Sequence, residues 1–131
     1  MKAILHTDGG ARGNPGPAGI GAVVEISGAK KFYKKFIGHA TNNQAEYQAI
    51  ILGLQKAKEL GADEAECYLD SELVVKQLRR EYKVKNQELA PLFIQVYNLT
   101  QSFKAVKFSH VFRESNKEAD KLVNEALDEA E

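Results

Sequence analysis

Four acidic residues stand at positions whose neighbours make a carboxylate notable. Asp8 closes a short apolar run and is followed by Gly9, Gly10, Gly13 and Gly16, interleaved with Pro15 and Pro17. Glu46 lies on the apolar side of a helical repeat shared with Ile50, Gly53, Leu54 and Ala57. Asp70 closes a second apolar run, and Asp120 precedes Val123 and Leu127 by helical spacings. Each has an ordinary role when taken singly. Asp8 can open a turn, Glu46 in a first helical turn can complement the helix dipole, Asp70 can cap a helix and Asp120 can be a solvated helix acid. Together they place two acids at strand ends and two in the N-terminal parts of helices, all on the side of a sheet where its strands finish. Carboxylates gathered in this way raise one another's pKa unless cations neutralise them. Hard divalent ions such as Mg²⁺ are the matching partners, and two of them roughly 3.5 to 4 Å apart can activate a water and stabilise the leaving oxygen of a phosphodiester. The chain has no Cys or His cluster of the kind a structural zinc requires.

The elements that must carry these acids are legible in order. Residues 2–8 read as a strand, the glycine-rich stretch as a compact turn-rich loop, and residues 20–26 and 31–37 as two further strands of an antiparallel meander. Lys30, Lys31, Lys34 and Lys35 suit a solvated edge. Thr41 or Asn42 caps a helix running to about Leu60, in which Gly53 permits close packing on the sheet. Residues 64–69 form a fourth strand, 71 to about 82 a helix, and about 87–102 another helix that tolerates Pro91 in its first turn. Residues 104–112 form a fifth strand, with Val106, Phe108, His110 and Phe112 on its apolar face. Ser115 and Glu118 have the spacing of a capping box for a last helix reaching about Ala130. The order βββαβααβα predicts an α/β fold, a five-stranded mixed sheet with helices on both faces. Strand–helix–strand connections make the fourth strand parallel to the first, so Asp8 and Asp70 end neighbouring parallel strands, where sites form in such sheets.

Length and composition bound the function. A chain of 131 residues fits one domain with its own core. Eighteen basic and eighteen acidic residues cancel, so a polyanion must be met by a local patch. The lone Cys67 cannot form an internal disulfide and reads as core packing in a reducing compartment. No basic-then-apolar leader and no run near ~20 apolar residues is present, so the expectation is a cytoplasmic protein without membrane insertion. No apolar stripe lacks a sheet to cover, which makes a monomer the default.

The stretches TDGGARGNPGPAG, TNNQAE, LDSELVVKQL and RESNKEAD resemble, in that order, the motifs of type 1 ribonuclease H, over nearly the whole chain. The resemblance implies a ribonuclease H fold and endonucleolytic cleavage of the RNA strand of RNA/DNA hybrids with two Mg²⁺ or Mn²⁺ ions, leaving 5′-phosphate and 3′-hydroxyl ends. It places the catalytic, metal-holding acids on Asp8, Glu46, Asp70 and Asp120. Asp8 would bridge both ions, Glu46 and Asp70 would serve the ion nearer the leaving group, and Asp120 the ion holding the water. The family's groove contacts fall on Asn14, Asn42 and Asn43, whose amides can engage 2′-hydroxyls, and its phosphate pocket on Thr41 with Asn14. The glycine-rich stretch, Gly9 and Gly10 included, lets the backbone approach nucleic acid closely.

The chain departs from the family's pattern in three places. Many members carry a mobile histidine before the last helix. Here His110 reads as a core histidine, and Arg113, seven residues before Asp120, ranks above it for the accessory catalytic role. Several relatives insert a basic helix and loop after the second helix, whereas this chain keeps Lys76, Arg79, Arg80, Lys83 and Lys85 and passes through Asn86 into the next helix. Lys85 and Asn86 are taken as nucleic-acid contacts, and weak, salt-sensitive binding is expected. Glu72 replaces a glutamine that often contacts RNA; a carboxylate cannot donate a hydrogen bond, which opens looser strand preference and weaker cleavage of double-stranded RNA. The competing class is a non-catalytic hybrid-binding module of the same fold. It is disfavoured because such a module has no need of the repulsive acids. A nuclease domain working beside a polymerase is disfavoured by a chain that reads as free-standing.

Overall fold

A computed structural model describes residues 1–131. Its five strands are β1 Lys2–Ala11, β2 Gly16–Ile26, β3 Ala29–Ala40, β4 Glu64–Leu69 and β5 Ala105–His110. They form one mixed sheet in the spatial order β3-β2-β1-β4-β5. The first three make an antiparallel meander, and β4 and β5 add parallel strands beyond β1. The helices are α1 Asn42–Glu59, α2 Glu72–Leu78, α3 Ala90–Thr100 and α4 Lys117–Glu129, with a 3₁₀ turn at Arg113–Ser115 before the last. Fold class and element order match the sequence expectation.

Packing follows the apolar periodicities. Leu5, Tyr47, Ile50, Leu54, Cys67, Leu69, Val74 and Val96 belong to one core cluster, to which β1, β4, α1, α2 and α3 all contribute. Cys67 is buried there as expected, and burial pushes its thiol pKa up. The Tyr47 hydroxyl donates to Gln77 Oε1 at 2.7 Å, tying α1 to α2. Gly53 permits the predicted close approach, since a Cβ there would stand 3.0 Å from Leu5 and Thr7 side-chain carbons. On the other face α4 lies over β1, β2 and β3 and buries Leu122, Val123, Ala126 and Leu127.

Several boundaries differ from expectation for identifiable reasons. β1 does not stop at Asp8; Gly9 and Gly10 remain in the strand, paired with Ile20 and Gly19, and the turn begins after Ala11. α2 ends at Leu78, and Arg80 just beyond takes a left-handed φ of 62° that no helix accommodates. α3 begins late because Asn86 Oδ1 captures the amides of Glu88 and Leu89 in a turn. The Ser115–Glu118 capping box is absent: Ser115 closes the 3₁₀ turn and Asn116 is the N-cap, with its side chain turned inward. Phe112 lies past the end of β5 and is 74% exposed, so the apolar face stops short of it. Lys30, Lys31, Lys34 and Lys35 are exposed on the edge strand β3 as expected, and Lys30 and Lys34 also ion-pair with Glu118, Glu125 and Glu129 of α4.

Candidate active site

The register of the parallel strands creates the site. Thr7 is the last residue of β1 paired with β4, opposite Leu69, so Asp8 and Asp70 leave the paired region side by side. Beyond Leu69, β1 continues along β2 alone, and the backbone groups on its other edge need partners. Three side chains supply them. Asn116 Nδ2 donates to the Thr7 carbonyl at 2.9 Å, Glu46 Oε1 accepts from the Gly9 amide, and Asn42 Oδ1 accepts from the Ala11 amide at 2.8 Å. Glu46 is therefore placed by the bare edge of β1 as well as by α1. Its position is the second turn of that helix, past the reach of simple dipole compensation at the first. Gly9 makes the approach possible, because a Cβ there would lie 2.3 Å from the Ala45 carbonyl carbon and oxygen.

One oxygen each from Asp8, Glu46 and Asp70 lies within 4.8 Å of the others. Asp8 is 8% exposed and Glu46 5%. Burial, reinforced by the charge of Asp70, pushes the Asp8 pKa up from 3.8 to about 7. Burial and then Asp8 raise Glu46 well above its ordinary range. Asp120, in the first turn of α4, stands outside this triad but lines the same cleft, and its charge also raises Asp8. Of the four acids it alone is ion-paired, to Arg113 at 3.4 Å. Clustered oxygen-only donors, of which Asp8 and Glu46 are buried and raised in pKa, fit one or more hard divalent cations.

The remaining predicted contacts divide into two groups. Gly9, Gly10, Asn42 and Arg113 line the cleft with the acids. Asn14 accepts from the Asn42 amide at 2.9 Å, which holds the glycine-rich turn against the start of α1. Thr41 is engaged in a reciprocal capping box with Gln44, and Asn43 follows, half-buried, in the first turn. Glu72 is exposed at the start of α2 and ion-pairs with Lys76 at 2.9 Å. Lys85 is exposed and Asn86 is committed to its turn, and neither lines the cleft of the acids. His110 is half-buried at the end of β5, edge-on to Phe112, rather than in the core, because β5 is the sheet's outer strand. Sequence reasoning missed Arg12, Asn124 and Asn116. The first two line the cleft; Asn116 lies beneath it, and only its place in the RESN motif hinted at it.

The family model described as reverse transcriptase-like matches residues 6–126. Ribonuclease HI of Halobacterium salinarum is 42% identical over 132 residues, covering 98% of this chain and 66% of that protein. The chain belongs to the ribonuclease H family. A bifunctional protein of Mycobacterium tuberculosis is 46% identical over 133 residues, and the chain spans 36% of its length. Among solved structures, the N-terminal RNase H domain of that mycobacterial protein superposes with a TM-score of 0.94 at 44% identity, covering 97% of this chain and 99% of that one. LC11-RNase H1 in complex with an RNA/DNA hybrid superposes with a TM-score of 0.92 at 42% identity, covering 98% of each chain. The ribonuclease H fold expected from the four motifs is thus the fold of the chain.

Proposed function

We propose that this chain is a metal-dependent endoribonuclease that hydrolyses the RNA strand of RNA/DNA hybrids, leaving 5′-phosphate and 3′-hydroxyl ends. The observation that carries this reading is the triad of buried Asp8 and Glu46 with half-buried Asp70, and Asp120 in the same cleft, in a chain of this family. These four residues would hold two divalent cations, Mg²⁺ or Mn²⁺. Bound there, the ions would activate the attacking water and stabilise the leaving oxygen. The chain's own contribution is to hold Asp8 and Glu46 where burial makes their ionisation costly without a cation, with Asp70 and Asp120 beside them. Arg113, exposed beside Asp120, takes the accessory role of contacting phosphate, ahead of His110. Asn42, with Asn14 and the edge of β1, forms the surface presented to the hybrid.

Glu72 supports a secondary activity on double-stranded RNA, since no donor at that position enforces one strand type. A monomer acting as a single domain in the cytoplasm completes the proposal; no helix is long and apolar enough to cross a membrane. The non-catalytic alternative does not account for keeping Asp8 and Glu46 buried together. The test is incubation with end-labelled RNA/DNA hybrid, RNA duplex and DNA duplex, with mass analysis of the product ends. Hybrid is cut fastest, RNA duplex slowly and DNA duplex not at all. Preferential cutting of the DNA duplex, or products with 3′-phosphates, would refute the reading.

A further inference from the structure

We propose that Asn116 is a positioning residue that orients Asp70 for cation binding and locks the segments bearing Asp8 and Asp120 around it. Its side chain is 1% exposed, and Nδ2 donates to two acceptors, the Thr7 carbonyl at 2.9 Å and Asp70 Oδ2 at 3.2 Å. Neither acceptor can donate while Asp70 is ionised, so the amide has one productive orientation. The backbone of Asn116 is equally committed. Its N–H donates to the Arg113 carbonyl at 2.9 Å, and its carbonyl accepts from the Asp120 amide at 3.1 Å. One residue therefore bonds the strand position before Asp8, the carboxylate of Asp70 and the helical turn of Asp120.

Stability alone does not account for an asparagine here. Asn116 Oδ1 is buried with no partner in the protein, and a half-satisfied buried amide is a poor way to fill a core. It also forgoes the N-cap bond that its place before α4 offers. What the amide does secure is Asp70, which follows the last residue of β4 and so is not held by the sheet ladder. Hydrogen bonds of this kind, made to a metal-ligating carboxylate from behind, tune both its orientation and its affinity.

The inference rests on the metal-binding reading above, and its test separates the two. Mn²⁺ and Mg²⁺ binding is measured calorimetrically, without nucleic acid, for the wild type, Asn116→Ala, Asn116→Ser, Asp70→Asn and the Asn116→Ala/Asp70→Asn double variant. Circular dichroism reports the folded fraction of each. Asn116→Ala weakens binding about 10- to 100-fold, and Asn116→Ser weakens it less because its hydroxyl keeps one donor. In the Asp70→Asn background, Asn116→Ala costs far less than in the wild type, as a residue acting mainly through Asp70 requires. Unchanged binding in Asn116→Ala, an equal loss in both backgrounds, or losses that only follow the unfolded fraction would overturn the proposal. A wild type that binds neither ion would instead sink the metal reading itself, before any Asn116 variant is considered.

Discussion

Asp8 and Glu46 are unusual in being acids that sit in the interior with no basic side chain bonded to them, whereas the half-buried Asp120 has Arg113. The pH dependence follows from Asp8. Its pKa in the fold is about 7 against an ordinary 3.8, so the folded chain binds this proton more tightly than the unfolded one. The associated stability is full below the ordinary value and is lost as pH rises through about 7. Glu46 shifts in the same direction. In EDTA the melting temperature therefore falls between about pH 5 and about pH 8, and Asp8→Asn flattens that fall. Added Mg²⁺ raises the melting temperature more at about pH 8 than at about pH 5, because only the ionised acids need it. Calorimetry across that pH range checks both; a flat profile, or equal stabilisation at both ends, would contradict the assignment. The acids were legible in the sequence because each breaks a local pattern: Asp8 and Asp70 end apolar runs, and Glu46 interrupts an apolar helix face. Asn116 was not, since an asparagine just before a helix is what a surface cap looks like too. Only the fold reveals that its amide points inward.

At the level of elements, the site depends on β1 outrunning β4. Once β4 stops at Leu69, α1 and the start of α4 can send Glu46, Asn42 and Asn116 to the bare edge of β1. This arrangement needs α1 almost in contact with the strand at Gly9. Gly9→Ala pushes a Cβ into the Ala45 backbone, which has no rotamer to yield, and is expected to cost about 2 kcal/mol or more. Urea unfolding measures that loss, and an unchanged midpoint would show that α1 can move aside. Hydrophobic patterning with its turn and cap signals was sufficient to identify the order of the nine strands and helices, the 3₁₀ turn apart. It could not show that Gly9 and Gly10 are strand residues. Glycine in sequence signals conformational freedom, whereas here the need at Gly9 is for room, which arises only when α1 packs against β1. The ends of α2 and α3 are not legible in the sequence for a similar reason, since the left-handed Arg80 and the Asn86 turn reflect how the chain crosses between packed helices.

For the whole molecule, the question is how a chain with equal numbers of acids and bases holds a polyanion. The reduced basic patch is partly neutralised: Lys76 pairs with Glu72, Arg79 with Glu81, and Arg80 lies over the Tyr97 ring. Few phosphate contacts remain, so hybrid affinity should be weak yet still fall as salt rises from about 50 to 200 mM, with a slope shallower than that of proteins making 6–10 contacts. Fluorescence anisotropy with Asp70→Asn, which binds without cutting, measures this directly; affinity indifferent to salt would point to contacts other than phosphates.

The central claim is that the clustered carboxylates are a metal-dependent hybrid nuclease site, and single-turnover cleavage of a 5′-labelled RNA strand annealed to DNA tests it most directly. Wild type and Asp70→Asn are compared with Mg²⁺, with Mn²⁺ and with EDTA, at matched folded fraction. The wild type should cut with either ion and stop in EDTA, while Asp70→Asn loses activity by about three orders of magnitude or more, as expected when a group acting in the transition state is removed. Cleavage by the wild type that persists in EDTA, or undiminished cleavage by Asp70→Asn, would contradict it.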